Sequence, residues 1–160
     1  MESEGGKWEG KVSAKVRGAT ADQVWPLIQD FFNLNKWYPT LKICNGIEGV
    51  SGQPGCVRYC SGFSIPAVGS DKDTINWCHE KLVSIDPVQR SLTYVISDGN
   101  IGFNSYVATW NILPDDEGCL IDWSFSVDPV QGWRVEDLVT KFDTGLHNMT
   151  SKIEEAFNTK

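Results

Sequence analysis

Residues 128–160 read DPVQGWRVEDLVTKFDTGLHNMTSKIEEAFNTK. Val135, Leu138, Val139, Phe142, Leu146, Met149, Ile153 and Phe157 recur there at spacings of three and four, with charged and polar residues between them. That period predicts one long helix with a single apolar stripe. No second long helical pattern precedes it, so the stripe has only a sheet to cover it.

Strand patterns fill most of the chain upstream. KWEGKVSAKV (7–16) alternates Trp8, Gly10, Val12, Ala14 and Val16 against polar residues, as a half-buried strand does. Thr20 with Gln23 forms a capping box for a short helix, which Pro26 limits or kinks, and a second short helix is expected before Pro39. Six further strands are expected in LKICNGIEGV, GCVRYC, TINWCHEKLVSID, SLTYVIS, SYVATWNIL and CLIDWSFSV. Short turns join most of them, which favours antiparallel pairing, while SGFSIPAVGSDKD (61–73) reads as a long loop. The order is one strand, two short helices, six strands and a long helix. It predicts an α+β fold in which a twisted seven-stranded sheet curves around the last helix, in one domain spanning 1–160 with a flexible stretch at 1–6. A helix that incompletely fills the concave face leaves a pocket.

Seven Trp, seven Phe and four Tyr supply large apolar areas with polar tips, suited either to a packed core or to a cavity wall. The formal charge of −7, with 21 acidic against 14 basic residues and no basic cluster, disfavours nucleic acid and anionic membrane surfaces. No apolar run is long enough to span a bilayer and the N-terminus lacks the apolar core of a secretory signal, so a cytoplasmic protein is expected. The five cysteines lack paired spacing and read as buried thiols, and neither a metal site nor a cofactor is expected.

Two charges interrupt this pattern. Alternation in GCVRYC puts Arg58 on the face of Cys56 and Cys60, and in TINWCHEKLVSI it puts Glu80 with Asn76, Cys78 and Leu82, opposite Trp77, His79, Lys81, Val83 and Ile85. If that face is inward, Arg58 and Glu80 must pair, because an isolated buried charge costs several kcal/mol. Tyr94 and Tyr106 on adjoining strands could then add hydroxyls. Such a cluster supplies a cation for an anionic oxygen, a carboxylate for proton exchange and phenols for orientation. If the face is outward, the two charges form an ordinary exposed cross-strand pair.

The stretches KWEGKV, DFFNLNKW, GCVRY, HEKLVSID, IDWSF and KIEEAF, in this order and spacing, resemble the lachrymatory factor synthase-like proteins of plants. These fall in the helix-grip group of START-like, birch-pollen-allergen-like and polyketide cyclase-like proteins. The resemblance covers about residues 7–158 and implies a cavity between sheet and C-terminal helix for a small hydrophobic, S-oxide or anionic ligand. It implies that Arg58 engages a sulfur-bound oxygen and Glu80 carries the proton as a sulfenic acid rearranges to a thial S-oxide. Tyr94, Tyr106, Phe63 and Phe142 would contact the ligand. A carrier or sensor of a lipid, hormone or secondary metabolite without turnover is the alternative. In abscisic acid receptors of the same fold a gate loop lies where SGFSIPA does, but the turn SDGNIGFN lacks their His-Arg-Leu latch.

Overall fold

The structure is a computed structural model that describes residues 6–39, 41–62 and 76–158. Phe63 and most of the 61–73 loop lie outside the described residues. Seven strands form one antiparallel sheet: β1 (Trp8–Arg17), β2 (Ile43–Glu48), β3 (Val57–Ser61), β4 (Trp77–Asp86), β5 (Ser91–Gly99), β6 (Val107–Asp115) and β7 (Gly118–Val127). Their spatial order is β1-β7-β6-β5-β4-β3-β2, so the two strands that flank the short helices in sequence become opposite edges of the sheet. The sheet is curved, and α2 (Val135–Asn158) lies along β1 on its inner side.

Helix α1 (Ala21–Gln29) starts at the Thr20 cap, where the Thr20 hydroxyl accepts from the Gln23 amide and the Gln23 side chain accepts from the Thr20 amide. Pro26 sits inside the helix. A 3₁₀ helix, Phe31–Lys36, follows directly and packs against β2. The expected pair of short helices is therefore present, the second as a tighter turn.

Alternation sets the inner face as expected. Register aligns Val12, Trp123, Trp110 and Leu92 in one row across β1, β7, β6 and β5, and Gly10, Phe125, Ala108, Tyr94 and Leu82 in the next. Apart from Gly10, which is half-buried, these residues are buried, and the stripe of α2 closes on them with Leu138, Phe142, Leu146, Met149 and Ile153. Strand β4 departs from simple parity. A register shift between Leu82 and Ser84 turns Ile85 toward the core, although Val83 on the expected side is exposed. An irregular pairing breaks the period of two, so the second half of β4 cannot be read from alternation.

Two glycines set how closely the layers approach. A Cβ at Gly145, buried in the middle of α2, would collide with the ring and hydroxyl of Tyr38. A Cβ at Gly10 would stand 2.7 Å from the Phe125 ring. The missing side chain on α2 is filled by an aromatic ring from the segment between the 3₁₀ helix and β2.

Candidate functional site

Between the inner face of the sheet and α2 the structure encloses a cavity. Room for the centres of water-sized spheres totals about 60 Å³, several times the roughly 10–15 Å³ that one water requires. Its floor comes from β3 to β7, through Cys60, Glu80, Tyr94, Ile96, Trp110 and Trp123. Leu34, Tyr38 and Leu41 form one side, the β5–β6 connection adds Ile101 and Phe103 with Tyr106 just before β6, and α2 supplies Lys141 and Phe142. The wall is therefore mostly aromatic and aliphatic, with one carboxylate and one ammonium among the described residues.

Aromatic geometry fixes that wall. Phe142 stacks on Trp123 with centroids 4.3 Å apart and meets Phe125 edge-on at 4.9 Å. Phe103 packs on Tyr106 at 5.7 Å, and Tyr38 stands edge-on to Trp123 at 6.0 Å. Interlocked rings have few alternative rotamers, so the cavity is held open by its own lining.

Arg58 and Glu80 face each other across β3 and β4 as register partners, and both are buried. Inward alternation from Cys60 and Cys78 brings them there, and not to the solvent-facing side. Arg58 Nε donates to Glu80 Oε1 at 2.8 Å and Nη2 lies 2.6 Å from the same oxygen. Nη1 donates to the Phe31 carbonyl at 2.6 Å, and the guanidinium sits 3.6 Å over the Phe31 ring. Burial is the largest influence on Arg58 and works against its charge, but Glu80 together with Cys60, Cys44 and Tyr94 outweighs it and raises the guanidinium pKa above its ordinary value.

Glu80 lines the cavity; Arg58 does not. The guanidinium instead borders a smaller void beneath, between Ile28, Phe31, Leu92 and Trp110. Glu80 Oε1 thus takes the arginine and also lies 3.7 Å from Cys60 Sγ, whereas among the described residues Oε2 has only Cys78 Sγ, at 3.7 Å. A thiol is a weak donor, so Oε2 is the less saturated oxygen.

Tyr94 and Tyr106 come together as the sequence suggested, with hydroxyls 3.3 Å apart, and Trp123 Nε1 donates to Tyr106 Oη at 3.3 Å. Burial holds both phenols above their ordinary pKa, with Glu80 adding to the effect. They are neutral donors and acceptors at any physiological pH. The thiols are likewise protonated. Cys44 is held up by its hydrogen bond with Cys60 and by burial. At Cys60 the bond with Cys44 pulls down, but the bond with Cys78 and burial prevail. At Cys78 the bond with Cys60 pulls down, but burial and the neighbouring Glu80 carboxylate together prevail. None has the depressed pKa of a nucleophilic cysteine.

Several residues at this site escaped the sequence reading, and four of them bear on its chemistry. Phe31 grips Arg58 by carbonyl and ring, a tertiary contact with no local signature. Phe103 lies in what reads as a turn, and Trp123 in an ordinary strand pattern. Lys141 adjoins Phe142 and follows Leu138 by three positions, so it sits at the border of the apolar stripe, where charges are common.

Residues 7–154 match the family described as polyketide cyclase / dehydrase and lipid transport. The chain belongs to that family. The START-like helix-grip architecture and the enclosed cavity agree with it, and the family suggests binding of small hydrophobic molecules. Ginseng major latex-like protein 151 from Panax ginseng is similar in structure, with a TM-score of 0.69 at 22% identity over 93% of this chain and 97% of that one. XoxI from Bacillus cereus has a TM-score of 0.67 at 20% identity, covering 96% of each chain. A Thermobifida fusca protein has a TM-score of 0.68 at 21% identity, covering 95% of each. At such identities these likenesses show the fold. Among the described residues no helix is long and apolar enough to cross a membrane.

Proposed function

We propose that this helix-grip protein binds a small hydrophobic molecule between the sheet and α2, and that Glu80 acts on it as acid and base in a cofactor-free isomerisation of the lachrymatory factor synthase type. The observation that carries the reading is the single carboxylate on a mostly aromatic and aliphatic wall, with Oε2 free of N–H and O–H donors among the described residues. An alkenyl sulfenic acid in the cavity would give its S–O–H proton to Oε2 as the C=C pair shifts to form C=S, and Glu80 would return that proton to the carbon β to sulfur, leaving the thial S-oxide. Tyr94 and Tyr106 would orient its polar end. Arg58 supports this chemistry as a positioning residue: it fixes Oε1 and so aims Oε2.

Turnover of an alkenyl sulfenic acid, generated in place, is the test. Glu80→Gln preserves shape and removes proton exchange, so thial S-oxide formation falls by about two to four orders of magnitude, the range ascribed to general acid–base catalysis. Undiminished turnover in that variant overturns the acid/base role.

One observation favours a second reading, a carrier or sensor without turnover. The Arg58 guanidinium spends three of its N–H groups on Glu80 and Phe31 and lies off the cavity wall, so it is not placed to meet a sulfur-bound oxygen there. Ligand binding by both wild type and Glu80→Gln, with no product from either, establishes that reading. The five cysteines, all free and buried, support a reducing compartment such as the cytoplasm.

A further inference from the structure

We infer that Lys141 is the charge-reading residue of the cavity, and that the ligand is an acid: an apolar body carrying one carboxylate. This belongs with the carrier or sensor reading above, since an alkenyl sulfenic acid has no carboxylate, and it rests on binding in the cavity. Lys141 projects from α2 into the cavity wall, next to Phe142, and is half-buried. It makes no ion pair or hydrogen bond with the described residues. Burial is the influence that acts on its charge, and it lowers the pKa. A cation partly stripped of water and left without a counter-charge is an uncompensated cost, unless a ligand supplies the anion.

The rest of the wall says what kind of anion fits. Arg58, the other cation nearby, is consumed by Glu80 Oε1 and the Phe31 carbonyl and is absent from the wall. Lys141 is thus the one cation lining the cavity among the described residues. A phosphate carries nearly two charges and is met by several converging donors. A single ammonium on an aromatic-lined wall matches a monoanion instead. Glu80 repels such a group, so the ligand lies with its carboxylate at Lys141 and its apolar end toward Ile96, Tyr94 and Trp110. In apolar surroundings the attraction is stronger than at an open surface.

A matched pair of compounds isolates the charge. Isothermal titration of the full chain at pH 7 compares 3-phenylpropanoate with 3-phenylpropan-1-ol, which differ in the carboxylate and share the apolar body. Wild type is expected to prefer the acid about tenfold, in line with a partly desolvated ion pair, and the preference shrinks as salt is added. In Lys141→Met the acid-to-alcohol ratio falls to about one, in Lys141→Glu it reverses, and in Lys141→Arg it persists. Lys141→Gln gives the same readout as Lys141→Met should the latter fold poorly. If wild type binds both compounds equally, or if Lys141→Met and Lys141→Gln keep the preference, the inference is overturned while the cavity reading stands. If wild type binds neither compound, the cavity reading is overturned and this inference with it.

Discussion

Arg58 directs two N–H groups at a single oxygen of Glu80, with Nε 2.8 Å and Nη2 2.6 Å from Oε1, and leaves Oε2 to the thiol of Cys78. The pair is therefore lopsided. One carboxylate oxygen takes both of these N–H groups and the other takes neither, and Glu80 joins this buried pair to the cavity wall.

This pairing makes the two residues strongly coupled. Removing one charge strands the other in the interior, so Arg58→Met alone is expected to cost about 3–5 kcal/mol. The double variant Arg58→Met/Glu80→Leu should recover much of that loss, because an apolar pair of similar volume needs no compensation. Urea denaturation of the wild type, both singles and the double variant measures the coupling. Additive costs would show that the two side chains do not depend on each other.

Gly145 gives a second coupled pair. A methyl group there meets the Tyr38 ring, which is itself wedged against Trp123. Gly145→Ala is expected to destabilise by about 1–3 kcal/mol through overpacking, despite alanine's better helix propensity. In a Tyr38→Ala background the same change should become neutral or favourable. Thermal denaturation of the four proteins tests this, and an equal penalty in both backgrounds would place the strain elsewhere.

Alkaline pH should weaken the fold in a defined window. The thiols of Cys44, Cys60 and Cys78 are held above their ordinary pKa, and burial pushes Cys119 up to about 11. A group kept neutral by folding stabilises fully below its unfolded pKa, near 8.5 for a thiol, and that contribution is lost as the pH rises through the folded value. Tyr94 and Tyr106 extend the loss above about pH 10, where unfolded phenols ionise. Denaturant midpoints should be flat from pH 7 to 8 and fall from about 9 upward. Cys119→Ala should lessen the slope between pH 9 and 11, and a slope unchanged by it contradicts the assignment.

Two tryptophans on the cavity wall should respond differently to the same change. The Trp110 indole N–H is buried without a partner among the described residues, whereas that of Trp123 donates to Tyr106. Trp123→Phe therefore removes one of two partners from the buried Tyr106 hydroxyl, which keeps Tyr94, and is expected to cost about 0.5–1.5 kcal/mol beyond the lost ring area. Trp110→Phe loses ring area but also removes an unsatisfied donor, so its cost should be smaller by about 1 kcal/mol. Chemical denaturation compares them, and equal costs would mean that the Trp110 nitrogen has found a partner.

Much of the architecture was legible because it rests on periodicity. The apolar spacing in α2 named the residues that close on the sheet, and alternation in β3 and β4 put Arg58, Cys60, Cys78 and Glu80 on one face. Ile85 was misplaced because the register shift after Leu82 leaves no local mark. At the site, Glu80, Tyr94, Tyr106 and Phe142 converge on one cavity, while Arg58 stops behind it. That last distinction depends on the carbonyl of Phe31, which belongs to a different element and can be located only once the chain is folded. Lys141 was passed over for a related reason. A charge beside an apolar stripe is ordinary, and only the hollow next to it makes this one unusual.

The edge-to-edge separation of β1 and β2 has a consequence for synthesis. Trp8 pairs with Val127, so the first strand made finds its partner only after nearly the whole sheet has left the ribosome. Until then its apolar side and that of α1 are exposed, and a contact map so dominated by distant pairs implies slow maturation with a long window for self-association. Nascent chains truncated before β7 should accordingly be the ones that chaperones hold longest.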